Sequence, residues 1–169
     1  MQTEVVMPIA LHLLLLALFI LLCLPAAAVA AAADAATRAE IKAFYDKLAR
    51  AQEAKDITTV MAAMAADPIL NIGSDENEWY VGREALAKGY ADFFGQAKAI
   101  SLSFSIVSVG RSGDVAWVAG KAPVSVTLAD GTTQSFTGRF TSVLLREKDG
   151  WRMVQSHFSA PADSQAQAK

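Results

Sequence analysis

Apolar residues recur at Ile41, Phe44, Tyr45 and Leu48, with Lys42, Asp46, Lys47 and Arg50 between them, which is the spacing of one face of a helix. Thr37-Arg38-Ala39-Glu40 ahead of this stripe has the S/T-x-x-E form of a capping box, so the first helix is expected to open at Thr37. A second stripe, Ile57, Val60, Met61 and Met64, follows Asp56, a residue able to cap it, and must end at Asp67-Pro68 because proline disfavours helix in the residue before it. Ile69, Leu70 and Ile72 then read as a short strand stopping at Gly73. After a polar stretch from Ser74 to Glu78 come Trp79, Tyr80 and Val81, and Gly82 starts a third helix with Leu86, Tyr90, Phe93 and Phe94 facing inward.

Beyond Gly95 the period changes to two. Ile100, Leu102, Phe104 and Ile106 alternate with Ser101, Ser103 and Ser105, as in a strand with one buried face. Long segments from Val115 to Leu128 and from Thr132 to Arg146, and a last one from Trp151 to Ser159, are separated by the hairpin signals Asp130-Gly131 and Asp149-Gly150. Pro123 cannot donate to a sheet ladder and implies a bulge or an edge. Strict alternation puts Trp151, Met153, Gln155, His157 and Ser159 on one face of the last strand. Helix, helix, strand, helix and four antiparallel strands make an α+β domain, a curved sheet with helices on one face, able to fold around a pocket.

The N-terminus has a different character. Ile9 to Leu24 is apolar apart from His12, about sixteen residues, the length of a signal-peptide core and short for a membrane-spanning helix. Pro25 breaks it, and Ala28-Val29-Ala30 and Ala31-Ala32-Ala33 offer small-x-small cleavage sites, so residues 1–30 are expected to be an export signal cut between Ala28 and Ala33. The protein would then be periplasmic or secreted, touching a membrane only if the segment stays uncut. The leader has no Lys or Arg and carries Glu4, and Cys23 follows Leu22 where a lipid-attachment site has a small residue. One domain over 35–160 remains, with a polar tail at 161–169.

Removal of the leader takes Glu4 and moves the formal charge of −2 to −1, too balanced for a nucleic-acid partner. It also takes the only cysteine and one of the two histidines, which excludes a disulfide, a thiol nucleophile and a histidine-rich metal centre. No Gly-rich phosphate loop or nucleophile elbow is present, so no cofactor is expected.

Three groups of residues resemble the SnoaL-like branch of the nuclear transport factor 2 superfamily. They are Ala65-Ala66-Asp67-Pro68, the run from Ile72 to Leu86 containing Trp79-Tyr80-Val81-Gly82-Arg83-Glu84, and the ending from Gly150 through Trp151 and His157 to Ser159. The resemblance runs from about Thr37 to Ser159 and implies a cone, a bent antiparallel sheet closed by three helices. Superfamily enzymes of the ketosteroid isomerase type use an aspartate base near the end of the first strand. Ile72 stands at that place here, and Leu48, with Tyr45 nearly a turn away, at that of the first-helix tyrosine.

The readings that follow come from three classes. The first is an exported domain whose cone pocket holds a small, partly hydrophobic molecule, with Trp79, Trp117, Arg139 and His157 as lining. The second is an isomerase or dehydratase using His157 as general acid or base with a carboxylate from Asp75, Glu76 or Glu78, although their Gly, Ser and Asn neighbours read as an exposed turn. The third is a domain that forms homodimers through its open sheet face. For His157 the plainer reading is hydrogen-bonded structure, and for Arg139 an outward salt bridge.

Overall fold

The structure, a computed structural model, describes residues 31–162; the expected export segment 1–30 and the tail from 163 lie outside the described residues. Helix α1 (Ala35–Glu53) opens one residue after Asp34, whose carboxylate accepts from the Thr37 backbone N–H at 2.6 Å. The cap thus lies three residues before the expected one. Thr37 is instead buried inside α1 and accepts from the Arg111 guanidinium at 2.8 Å. Glu40 also has other work: it pairs with Arg146 and accepts from the Trp151 indole N–H at 3.0 Å. Those two hydrogen bonds, Arg146 first, hold its carboxyl below the usual range.

Asp56 caps α2 (Ile57–Ala62) as the sequence indicates, accepting from the Thr59 N–H at 3.0 Å. Strand β1 is the pair Ala31–Ala32, and the expected strand after Pro68 is β2 (Leu70–Ile72). Trp79–Val81 forms a further strand, β3, that returns antiparallel on β2, before α3 (Arg83–Gln96). Gly82 makes that junction with φ 86°, a conformation costly for any residue with a Cβ.

The serine-alternating run is two strands, β4 (Ala97–Leu102) and β5 (Ser105–Ser112), parted at Ser103 and Phe104. Both pair with β6 (Val115–Leu128), β5 along its first half and β4 along its second. Pro123 sits where the partner changes. Its carbonyl accepts from the Ser103 N–H at 3.3 Å, and its missing N–H points to the same corner, where neither β4 nor β5 supplies a paired residue. Strands β7 (Thr133–Glu147) and β8 (Gly150–Ser159) complete the meander. The sheet order is β1-β5-β6-β7-β8-β2-β3, with β4 on β6 and only β2–β8 parallel among these pairs.

One irregularity decides what each residue of β8 faces. Val143 lies opposite Gln155, yet its neighbour Leu144 lies opposite Met153, so Val154 is an extra residue, a β-bulge. Before it, Trp151 and Met153 are buried against the helices; after it, Ser156 and Phe158 take the inner side, opposite Ser142 and Phe140, while Gln155 and His157 are exposed. The single face expected for Trp151, Met153, Gln155, His157 and Ser159 is therefore two faces, because one inserted residue reverses the alternation.

Candidate functional site

Aromatic side chains from helix and sheet pack together on the inner face of the sheet. Tyr45 from α1 stands against Phe104 and Phe140 with ring centroids 4.9 and 5.0 Å away, and those two lie 5.1 Å from each other. The Tyr45 hydroxyl shares a buried hydrogen bond with Ser142, and burial pushes the phenol above its usual range. Further along, the Asn71 side chain donates to Ser156 Oγ at 2.5 Å. Trp151 closes one end, with the Arg111 and Arg146 guanidiniums 5.6 and 5.2 Å from its ring centroid.

The four residues expected to line a cone pocket are on the other side of the sheet. Register places Trp117, Val143, Gln155, Leu70 and Val81 in one row across five strands, and Ala119, Thr141, His157, Ile72 and Trp79 in the next. A third row carries Lys121, Arg139 and Ser159. Trp79, Trp117, Arg139 and His157 are thus gathered on one face, but on the outer one, and the expectation that they line the cone interior is corrected. The cause for His157 is the Val154 bulge; for the others it is plain alternation from the inward-facing Tyr80, Val118 and Phe140. Trp117 lies over Gly110, where a side chain would come within 2.1 Å of the indole.

Two chemical pairings expected from the sequence are not formed among the described residues. No ion pair joins His157 to Asp75, Glu76 or Glu78. Those carboxylates belong to an internally bonded turn, in which Glu78 accepts from the Asp75 N–H at 3.0 Å and Asp75 from the Asn77 N–H at 3.1 Å. Arg139 is exposed without the outward salt bridge expected for it. Among the described residues no group of three His, Cys, Asp or Glu could hold a metal ion, and no helix is long and apolar enough to cross a membrane.

Pattern reading missed two features. One is an open groove of about 570 Å³ at the far end of the β6–β7 hairpin, where Glu53, Ser101, Ser103, Ser125 and Thr137 meet Phe136 and Val124. The serine alternation was its one sequence signal. The other is the apolar character of the outer face, where Trp79 is 59% exposed, Val81 71% and Trp117 39%. Trp79 and Val81 lie together on β3, while Trp117 stands four strands away on β6, with exposed Gln155 and His157 between them.

Known proteins place the domain. A nuclear transport factor 2-like superfamily protein from Salmonella enterica serovar Typhimurium superposes with a TM-score of 0.66 at 22% identity, over 77% of this chain and 94% of that one. A candidate dehydratase of the same superfamily from Streptomyces avermitilis gives 0.67 at 18%, over 75% and 96%. A candidate calcium/calmodulin-dependent protein kinase type II association domain from Thiobacillus denitrificans gives 0.58 at 32%, over 70% and 93%. No curated protein sequence matches this one. The family profile described as SnoaL-like domain matches residues 41–163, which takes in α1 from Ile41 onward, α2, α3 and strands β2 to β8, and the chain belongs to that family.

Proposed function

We propose that this SnoaL-like domain is a self-associating module that acts after export, pairing through the outer face of its sheet. The observation that carries the reading is a pair of mixed rows crossing five strands, with Trp79, Val81 and Trp117 exposed at their ends and Gln155, Thr141 and His157 between them. At about 4.8 Å between strands such a row is about 19 Å long, the scale of a specific protein interface. The likeness to a candidate association domain at 32% identity supports the same reading. Replacing Trp79 and Val81 together by Ser should weaken the dimer at least about tenfold in sedimentation equilibrium, because both side chains are solvent-facing and their loss leaves the core intact. A wild-type protein that stays monomeric at tens of micromolar would remove the reading.

The start of the fold bears on where an export signal would be cut. Ala31 and Ala32 pair with Arg111 and Gly110, the Ala33 N–H donates to the Val109 carbonyl at 3.1 Å, and Ala33 is 8% exposed within the core. Cleavage after Ala33 would strip a strand from the β5 edge, whereas cleavage after Ala28-Val29-Ala30 leaves it whole. N-terminal sequencing of the exported protein is expected to begin at Ala31. A start at Asp34, or retention of the leader, would contradict this.

The groove favours a second reading, binding of a small molecule with both apolar and hydrogen-bonding parts. Its volume falls in the range of ligand sites, and hydroxyls, a carboxylate and an aromatic ring line it. Mass spectrometry of the purified exported protein should then detect a co-purifying molecule that is lost in Phe136→Asp; an empty spectrum for the wild type counts against this reading.

A further inference from the structure

The groove at the far end of the β6–β7 hairpin has a single charged side chain among the described residues that line it, the carboxylate of Glu53. Every other lining residue is a serine, a threonine or apolar. Glu53 is the last residue of α1, and the end of that helix lies along β4. One carboxylate oxygen accepts from the Leu102 N–H at 2.9 Å, and no ion pair among the described residues involves Glu53. Lys55, two residues on, is committed elsewhere: its ammonium donates to the Ala97 carbonyl at 2.9 Å, at the opposite end of β4.

An anion brought into the groove would meet this carboxylate with no lining cation to offset it, whereas a cation would complete its second oxygen. The rest of the lining narrows the kind of cation. Quaternary ammonium groups have no N–H and are held in cages of several aromatic rings, while Phe136 is the one aromatic residue among the described ones that line the groove. Hydroxyl oxygens, by contrast, accept from N–H donors. Ser135 donates to Ser125 Oγ at 2.9 Å, and both oxygens keep lone pairs for a further donor.

We infer that the groove binds a protonated primary or secondary amine with an apolar body, its ammonium on Glu53 and its body against Phe136 and Val124. The inference rests on the small-molecule reading of the groove and gives that ligand a charge and a head group. Lys121 and Arg139 come two residues beyond Pro123 and Thr137 on β6 and β7 and do not line the groove. Were they to govern it, a carboxylate would bind best.

Three probes with one body separate these cases in amide NMR titrations of the purified protein at neutral pH: 2-phenylethylamine, 2-phenylethanol and 3-phenylpropanoate. The amine should bind about fivefold more tightly than the alcohol, the upper range for an exposed ion pair, with the carboxylate weakest. The Leu102 amide, bonded to the same carboxylate, should shift with the amine. Glu53→Gln keeps an oxygen for that N–H and removes the charge, so it should bring the amine down to the affinity of the alcohol and leave the alcohol within about twofold. An unchanged urea midpoint would show that the variant folds. Equal binding of amine and alcohol, tightest binding of the carboxylate, or an amine indifferent to Glu53→Gln overturns the ammonium assignment and leaves the groove standing as a ligand site. Absence of binding by every probe at millimolar concentration overturns the assignment as well, and the groove itself is then judged by whether a molecule co-purifies.

Discussion

Replacing Tyr45 by alanine is expected to lower the unfolding free energy by about 4 kcal/mol, the usual cost of removing a buried aromatic ring. The ring is 1% exposed and touches Phe44, Phe104 and Phe140, so its loss opens a hole where the helix layer meets the sheet. For a domain of this size the melting temperature should fall by about 10–15 °C. Tyr45→Phe keeps the ring and removes the hydroxyl that Ser142 uses, which should cost about 1–2 kcal/mol.

The pH dependence of that pair follows from the raised phenol. Burial disfavours the phenolate in the folded protein, so the folded state holds its proton more tightly than the unfolded chain, whose value is about 10.0. The contribution is complete below pH 10 and is lost as pH rises beyond it. Urea midpoints measured from pH 8 to 11 should therefore fall less steeply in Tyr45→Phe than in wild type. Burial also raises Tyr90 and Tyr80, so part of the alkaline fall remains. An equal slope in both proteins would mean that Tyr45 is not sealed from solvent. A phenol so held stays protonated near neutral pH.

Removing the Arg83 side chain should be nearly as damaging, at about 3 kcal/mol in urea unfolding. Its guanidinium donates to the carbonyls of Met61 at 3.0 Å, Met64 at 3.0 Å and Ala65 at 2.7 Å, closing the end of α2 and the bend after it. Its backbone N–H meanwhile donates to Asp67 at 2.8 Å. Arg83→Ala strands three acceptors at once, while Arg83→Lys should recover less than half, since an ammonium on a flexible stem cannot reproduce the planar fork. A loss below about 1 kcal/mol in Arg83→Ala would mean that water replaces the guanidinium freely. The Gly82-Arg83 pair thus belongs to the scaffold: one residue supplies the turn and the next staples α2 to the start of α3.

The two long hairpins were legible because Asp130-Gly131 and Asp149-Gly150 flank alternating runs, and both turn glycines have positive φ. The stripes of α1 and α3 were legible for the same kind of reason, although Phe93 keeps 37% of its surface exposed. Strand β3 was not, since Trp79-Tyr80-Val81 shows no polar–apolar alternation, whereas the equally short β2 has Asn71 between Leu70 and Ile72. The cap of α1 was misplaced because Asp34 and Thr37 can both serve, and a distant residue, Arg111, takes the Thr37 hydroxyl. Hidden most completely was the Val154 bulge, which has neither glycine nor proline to announce it. Sequence thus picked out Trp79, Trp117, Arg139 and His157 as notable and assigned them to the wrong side of the sheet, because facing depends on a count of residues and not on their kind.

That bulge makes Val154 the spare residue of β8. Its deletion would set Met153 and Gln155 next to each other in the chain as they already are in the ladder, opposite Leu144 and Val143, so every other residue of β8 would keep its present side and His157 would stay outside. Drawing Val154 into regular pairing instead would turn Gln155, His157 and Ser159 toward the helices and send Ser156 and Phe158 out. The side that a histidine takes is thus set by how the ladder accommodates one valine three residues away, a choice that the histidine's own identity does not express.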